Sequence, residues 1–203
     1  MLWERRTKLK NRLILLDKMI LKTARLILRP LKDSDAQSVV ENANNLNVSR
    51  WLLKMPYPYR MKDAREWIRH TKEYSWKRPI EDYVFGIGLK PEHNIIGAIG
   101  IHHIDRNQGI GEVGYWLGER YHGKGYGSEF LKAVVDFAFN RIKLRRLEAG
   151  VFDGNPASGR LLEKVGFAHE GKKLQAKKCK ATGEIHDEHL YGLLKENYSR
   201  RTK

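Results

Sequence analysis

The chain has 203 residues, 41% of them hydrophobic, and a net charge of +15 with a pI near 9.9. This length fits one domain, or one domain with an extension, whose core needs no disulfide. The single cysteine, Cys179, excludes an intrachain disulfide, and no apolar run approaches the ~20 residues that span a bilayer. We therefore expect a soluble, cytoplasmic protein with no membrane partner. The positive charge favours polyanionic partners such as ribosomes, or serves solubility alone.

Residues 1–22 differ in composition from the rest of the chain. They hold seven basic residues against two acids, and apolar residues at 13, 16, 19 and 20 allow one helical stripe. We interpret 1–22 as a basic N-terminal extension and 23–203 as one domain. The extension either packs on the domain, binds something acidic, or is a frayed tail.

The hydrophobic pattern predicts two early helices and at least seven strands. The early elements are a strand at 26–28, a helix from Asp33 or Ser34 to about Asn42, a loop over 45–60 and a helix over 62–77. The middle elements are strands at 83–89, 95–104 and 111–117 and a long helix from 123 to 140. The last elements are a strand at 146–152, a helix from Asn155-Pro156 to Gly166, and strands near 167–171 and 187–194, with the basic stretch 172–180 between them. This order is not strict alternation, so we expect an α+β fold with a mixed sheet and helices on both faces.

The most informative stretch runs from Glu112 to Glu129, where a strand leads through a glycine-rich turn into a helix. Unpaired N–H groups and the helix dipole at such a helix start favour phosphate or pyrophosphate. Gly123, Gly125 and Gly127 let the backbone approach a ligand closely, and Arg120 and Lys124 add positive charge.

Two other phosphate-binding motifs are excluded. In the Walker motif a Ser or Thr follows Gly-Lys, whereas Gly125 follows Gly123-Lys124 here. A dinucleotide fingerprint occurs from Gly109 to Gly114, but the strand continues through it instead of turning into a helix.

The remaining pattern, Arg120-x-x-Gly123-x-Gly125, resembles the pyrophosphate-binding signature of the GNAT superfamily of acyl-CoA-dependent N-acetyltransferases. The segment from Asn155 to Gly166-Phe167 is similar to the late helix of that family. The opening Thr23-Ala-Arg-Leu-Ile-Leu-Arg-Pro30, the pair Ile96-Gly97 and the closing 187–194 strand match as well. The resemblance covers roughly 23–195, and it is strongest to the Rim-type branch, which acetylates the N-termini of ribosomal proteins.

The resemblance implies a GNAT-like fold: a central, mostly antiparallel mixed sheet with a V-shaped split that holds acetyl-CoA. It implies that backbone groups of Trp116 and Leu117 hold the pantetheine arm and that the turn up to Ser128 holds the pyrophosphate. The cofactor-binding residues expected in this way are Trp116, Leu117, Arg120, His122, Gly123, Lys124, Gly125, Tyr126, Gly127, Ser128 and Asn155. Asn155 is at the same time a helix N-cap, and it can do both because the cap uses one acceptor.

Direct attack of an amine on the thioester needs a base and a donor for the leaving thiolate. The resemblance makes Glu112 the candidate base, acting through water; the alternatives are a Glu on the solvent side of the strand or one bonded to a neighbouring backbone group. Relatives often carry a tyrosine seven residues after the helix-opening Asn, but Leu162 stands there in this chain. The Rim-type branch is similar in this departure and has a serine near the helix start, so the resemblance implies Ser158 as the candidate acid; the alternative is an ordinary helix hydroxyl.

The resemblance implies that the acceptor is a primary amine. An α-amine with a pKa near 7.7–8.0 is roughly 10% neutral at pH 7, and a lysine about 0.04%, which favours a protein N-terminus. Trp51 is a candidate acceptor-binding residue, with core packing as the alternative. The other functions considered are acetylation of a polyamine or antibiotic, and a non-catalytic acetyl-CoA sensor or basic ribosome-binding protein.

Two histidine pairs do not suggest a metal. His102 and His103 are adjacent and His186 and His189 are three apart on strands, so the members of each pair should face oppositely. We expect no metal. An exposed sheet edge leaves room for a homodimer.

Overall fold

The computed structural model describes residues 19–76 and 80–201. Its strands are β1 (Leu21–Lys22), β2 (Leu26–Arg29), β3 (Tyr83–Leu89), β4 (Asn94–Asp105), β5 (Ile110–Leu117), β6 (Arg146–Phe152), β7 (Ala168–Lys178) and β8 (Ile185–Leu194). Its α-helices are α1 (Ala36–Ala43), α2 (Leu46–Ser49), α3 (Met61–Trp76), α4 (Tyr126–Asp136), α5 (Pro156–Val165) and α6 (Lys195–Arg201). Short 3₁₀ turns precede α1 and follow β5, and a π-helical segment, Phe137–Ile142, continues α4.

The eight strands form one mixed sheet in the order β1-β2-β3-β4-β5-β6-β8-β7. All neighbouring pairs are antiparallel except β5 and β6, which are parallel. The α+β fold expected from the sequence is thereby confirmed.

The parallel pair is short. Its register covers only Ile110–Glu112 of β5 against Arg146–Glu148 of β6, and both strands continue beyond it. From residue 113 in β5 and 149 in β6 the strands therefore diverge and leave backbone groups unpaired along the gap. This divergence is the V-shaped split that the resemblance implied. One arm of the sheet is β1–β5 and the other is β6–β8.

Helices cover both faces of the sheet. On one face α4 and α5 bury a large core that includes Phe130, Val134 and Leu162. On the other face α1 and α3 bury a smaller core that includes Val39, Ile68 and Trp116. The alternation of β5 explains the division, because Val113 belongs to the first core and Trp116 to the second.

The structure differs from the predicted elements in several places. Residues 45–60 are not all loop, because α2 forms behind Asn45, whose side chain accepts from the Asn47 N–H. The long helix starts at Tyr126, three residues late, because Gly123 and Gly125 have left-handed backbones (φ +72° and +79°). The last helix, α6, was not predicted.

The basic stretch 172–180 was wrongly interpreted as a connection, since β7 extends to Lys178. Its alternation is broken where the β7–β8 register shifts, and Gln175 has φ +47°. β7 is also the edge strand of the sheet, where lysines are common because they discourage pairing with other chains.

Residues 1–18 of the predicted extension lie outside the described residues. Within 19–22, Met19 and Leu21 are buried against the large core, and Leu21 pairs with Leu28. The domain boundary at residue 22 stays a prediction. No helix among the described residues is long and apolar enough to cross a membrane.

Candidate active site

The turn between β5 and α4 has the features of an anion-binding loop. Residues 122–125 are exposed, and a Cβ on Gly123 would meet no atom within 4 Å. Gly125 is the N-cap of α4 and provides no side-chain cap, so the first N–H groups of the helix are available to a ligand. Exposed backbone donors beside Lys124 fit a pyrophosphate.

Thr23 and Arg25, which directly precede β2, hold this turn in place. Arg25 donates from Nη1 to the Lys124 carbonyl (2.9 Å), and its guanidinium lies 4.4 Å from the centre of the Tyr126 ring. Glu129, in the first turn of α4, accepts from Thr23 Oγ1 (2.6 Å) and from Arg25 Nε (2.7 Å). Burial opposes ionisation of Glu129, but these hydrogen bonds outweigh it and lower its pKa.

Sequence reasoning missed the roles of Arg25 and Glu129. Both lie inside segments that matched the family pattern, the opening 23–30 segment and the first turn after the glycines. Their contact joins residues 104 apart in the chain, which spacing alone does not reveal.

The predicted cofactor residues are brought together at the mouth of the split. Leu117 ends β5, and His122 Nε2 lies 2.8 Å from its carbonyl oxygen. Asn155 caps α5 by accepting from the Ser158 N–H (3.3 Å), followed by Pro156 at the first helical position. The start of α5 therefore faces the unpaired part of β5, on the opposite side of the gap.

Glu112 stands at the apex of the split, where the parallel ladder ends. Its register partner in β6 is Glu148, and its side chain is 47% exposed. His103 Nδ1 lies 3.0 Å from Glu112 Oε2. A carboxylate that is open to water and held by a histidine can take up a proton through water.

The expected opposite orientation of His102 and His103 is wrong. The β4–β5 register shifts between His102 and Asp105, and His103 has φ +50°. The two rings lie 6.4 Å apart, with His102 Nδ1 3.6 Å from Asp82 and His103 against Glu112. Burial opposes ionisation of Asp82, but the His102 contact lowers its pKa. Among the described residues no group of three or more His, Cys, Asp or Glu could hold a metal.

Residues 49–53 and 179–180 meet across the split on the α1–α3 face, and we call this contact the bridge. The Lys180 N–H donates to the Leu53 carbonyl (3.2 Å), and the buried Cys179 Sγ lies 3.7 Å from the Ser49 and Leu52 carbonyl oxygens. The predicted acceptor residue Trp51 belongs to the bridge. Its ring lies 3.4 Å from the Cβ position of Gly154, just beyond β6, and 6.4 Å from the His186 ring. Tyr59, from the same predicted loop, is core, whereas Tyr57 is exposed.

Four buried polar atoms lie around the bridge and β5 without a hydrogen-bond partner in the described part of the chain. They are Ser49 Oγ, Arg50 Nε, Trp116 Nε1 and His186 Nε2. Arg50 Nε and Trp116 Nε1 carry hydrogen and can only donate. Buried donors left unpaired are costly, so these atoms reduce the stability of this region relative to a fully hydrogen-bonded one.

Known proteins share this architecture. The acetyltransferase (GNAT) domain family matches residues 25–168. The "Uncharacterized N-acetyltransferase p20" of Bacillus licheniformis is 31% identical over 177 residues, which is 87% of this chain and 97% of the relative. The "Putative ribosomal N-acetyltransferase YdaF" of Bacillus subtilis is 28% identical over 84% of this chain and 92% of the relative.

A solved structure, of a "putative ribosomal-protein-serine acetyltransferase from Vibrio cholerae", superposes with a TM-score of 0.72 at 26% identity, over 86% of this chain and 97% of that one. The family match spans both the glycine turn and the Asn155 helix, the two segments that build the split. The chain therefore belongs to the GNAT acetyltransferase family and is an acetyl-CoA-dependent N-acetyltransferase.

Proposed function

We propose that the amine acceptor is the N-terminal α-amine of a protein, of the kind found on ribosomal proteins. The observation that carries this proposal is the Glu112 carboxylate, which is 47% exposed at the apex of the split, with His103 Nδ1 3.0 Å from its Oε2. An α-amine suits a base in water, because part of it is already neutral at pH 7, whereas a lysine is almost fully protonated.

The proposed base agrees with an α-amine. Glu112 can exchange a proton with solvent, because its side chain is open to water and is hydrogen-bonded to a histidine. An amine with a pKa near 7.7–8.0 supplies roughly 10% of its neutral form at pH 7 and needs little help. In this proposal Glu112 accepts the amine proton through water, and Ser158 donates to the leaving sulfur.

The cofactor residues follow the same proposal. Arg120, Lys124 and the backbone of the turn bind the pyrophosphate, and the remaining turn residues, His122 to Ser128, shape that site. Trp116 and Leu117 present backbone groups of the unpaired β5 edge to the pantetheine arm, and Asn155 binds it from α5. Trp51 contacts the acceptor from the bridge.

The ribosomal acceptor, the cytoplasmic location and the oligomeric state belong to this proposal too. The name of the YdaF relative favours a ribosomal acceptor. The net charge of +15 supports association with ribosomes in the cytoplasm. A homodimer through an exposed sheet edge is part of the proposal, although the lysines of β7 make that edge a poor one for self-pairing.

Release of coenzyme A from acetyl-CoA tests the acceptor. The panel contains peptides with free Ser, Ala, Met or Thr N-termini, the same peptides N-blocked but carrying a lysine, spermidine and an aminoglycoside. We expect turnover on free N-termini and none above background on the blocked peptides. Turnover confined to spermidine or the aminoglycoside would contradict the α-amine proposal.

A further inference from the structure

A side-chain hydrogen bond joins the two sides of the split on the α4–α5 face. Tyr115 lies in the part of β5 that has no partner in β6, and Ser158 lies in the first turn of α5, which follows β6. The Tyr115 hydroxyl is 2.8 Å from Ser158 Oγ and 3.4 Å from the Ser158 carbonyl oxygen. The contact therefore lies next to the gap that receives the thioester.

The surroundings of Tyr115 keep its phenol protonated. The ring packs against Phe130 of α4, with 5.6 Å between the ring centres. Burial raises the pKa of Tyr115 to about 12, and the bond to Ser158 only partly opposes this. At neutral pH the phenol keeps its proton, so it can donate to Ser158 Oγ.

A serine hydroxyl has one hydrogen and two lone pairs. When the phenol donates to Ser158 Oγ, the serine hydrogen is free to point towards another acceptor. The Ser158 backbone is fixed as well, because its N–H donates to Asn155 Oδ1 (3.3 Å). The place of the Ser158 hydroxyl is thus fixed before the substrate arrives, and its hydrogen points away from Tyr115 whenever the phenol is the donor of their bond.

We propose that Tyr115 is a positioning residue that aims the Ser158 hydroxyl at the sulfur leaving group. This inference rests on the proposed role of Ser158. As the amine nitrogen forms its bond to the acetyl carbon, the carbon–sulfur bond breaks and its electron pair goes to sulfur. Ser158, held by Tyr115, donates a hydrogen bond to that thiolate, the amine proton goes to Glu112 through water, and solvent later protonates the thiolate.

Leu162 occupies the α5 position where relatives often carry tyrosine, and it is fully buried in the large core, so that position holds no donor. Tyr115 instead brings a phenol to the first turn of α5 from across the split. In the proposal this phenol acts on the leaving group through Ser158.

A double-mutant cycle tests the proposal, using whichever amine the wild-type enzyme acetylates. We expect Tyr115→Phe to lower kcat about 10-fold, the usual size for one lost hydrogen bond, with the KM for acetyl-CoA nearly unchanged. Ser158→Ala should lower kcat at least as much. The double variant should be no worse than Ser158→Ala alone, because Tyr115 acts only through Ser158.

Tyr83→Phe is the matched control, since Tyr83 packs on Phe137 away from the split, and it should keep wild-type kinetics. Calorimetric titration with coenzyme A verifies that each variant folds and binds. The proposal is overturned if Tyr115→Phe leaves kcat unchanged, if the two losses multiply, or if only the KM for acetyl-CoA rises. These outcomes are independent of the proposed acceptor, because every acceptor expels the same sulfur.

Discussion

Glu112 and Glu148 are two similarly placed carboxylates. Comparing variants of the two distinguishes a loss of proton transfer from a loss of surface charge. They are register partners on one face of the sheet, and their side chains are 47% and 48% exposed. Glu148 is held by Arg146 Nε (2.8 Å), whereas Glu112 is held by His103. In the proposal only Glu112 is the base, since it lies on β5, the strand proposed to present its unpaired edge to the pantetheine arm.

We expect Glu112→Gln to lower kcat about 100-fold, the lower end of what a general base contributes. Glutamine keeps the size and the hydrogen-bonding oxygen but cannot take a proton. Steady-state kinetics with saturating acetyl-CoA measures the change, and Glu148→Gln should have little effect. Equal losses in both variants would mean that charge on this face, not proton transfer, is what matters.

Residue identities could be predicted where the chemistry is local. The Asn155 cap, the Gly123 and Gly125 turn and the position of Glu112 on β5 all follow from short motifs. The roles of Tyr115 and Arg25 and the unpaired donors of Arg50 and Trp116 could not be predicted. Each depends on which strands separate and which loops cross the gap. Those are properties of the register and not of any single motif.

The glycine turn before α4 is the element proposed to bind the pyrophosphate of the cofactor. Gly125 has φ +79°, and a Cβ there would lie 3.4 Å from Arg25 Nη2. We expect Gly125→Ala to distort the turn at a cost of roughly 1–2 kcal/mol and to raise the Kd for coenzyme A about 10-fold. Calorimetric titration measures it.

Gly183 provides the control for backbone strain. It has φ +76° in the β7–β8 turn, and its Cβ would meet no atom within 4 Å. Gly183→Ala should lower the stability of the protein by a similar amount and leave the Kd for coenzyme A unchanged. A Gly125→Ala variant with wild-type affinity would contradict the assignment of the turn.

The connection between β2 and α1 is held by a buried ion pair. Arg29 donates from both terminal nitrogens to Asp35 (2.8 Å each), and the Lys32 N–H also donates to Asp35 (2.7 Å). The side chains of Arg29 and Asp35 are only 13% and 9% exposed. Asp35→Ala would leave Arg29 as an uncompensated buried charge.

We expect Asp35→Ala to lower the free energy of unfolding by about 3–5 kcal/mol, measured by urea denaturation. The neighbouring Asp33, which pairs with Lys72 and is 86% exposed, is the control. Asp33→Ala should cost no more than about 1 kcal/mol. Similar values for both variants would show that the Asp35 pair contributes no more than a surface pair.

Elements with a clear period could be predicted from the sequence, and those without one could not. β3 to β6 and α5 lie where the alternation and the caps place them, to within a few residues. β7 was cut short because its two register shifts destroy the alternation, and α6 was missed because it is short and mostly polar. In both cases tertiary contacts decide the structure: β7 by pairing along β8, and α6 by packing Tyr198 on Phe139.

At the scale of the whole molecule, the positive charge does not prevent binding of a cationic amine. Glu112, Glu148 and Glu188 lie on the same face of the sheet, the first two at the apex of the split and Glu188 beside Gly150 further along β6. In the proposed function these carboxylates offset part of the positive charge where the amine binds.

The bridge joins the two arms of the sheet, and the labelling rate of the Cys179 thiol measures whether the bridge is closed. The thiol is fully buried, and the chain has no other cysteine. We expect a thiol reagent to label the native protein at least about 100-fold more slowly than the urea-unfolded protein, because labelling requires the bridge to open. Equally fast labelling in both states would show that the bridge is open in solution.

The most direct test of the account uses one peptide that carries both a free N-terminal α-amine and an internal lysine. After incubation with acetyl-CoA at pH 7, fragmentation mass spectrometry locates the added acetyl group. The account predicts acetyl on the α-nitrogen in at least about 100-fold excess, in line with the neutral fractions of the two amines. Acetyl on the lysine would contradict it. No transfer to the peptide, at a concentration at which spermidine is acetylated, would contradict it as well.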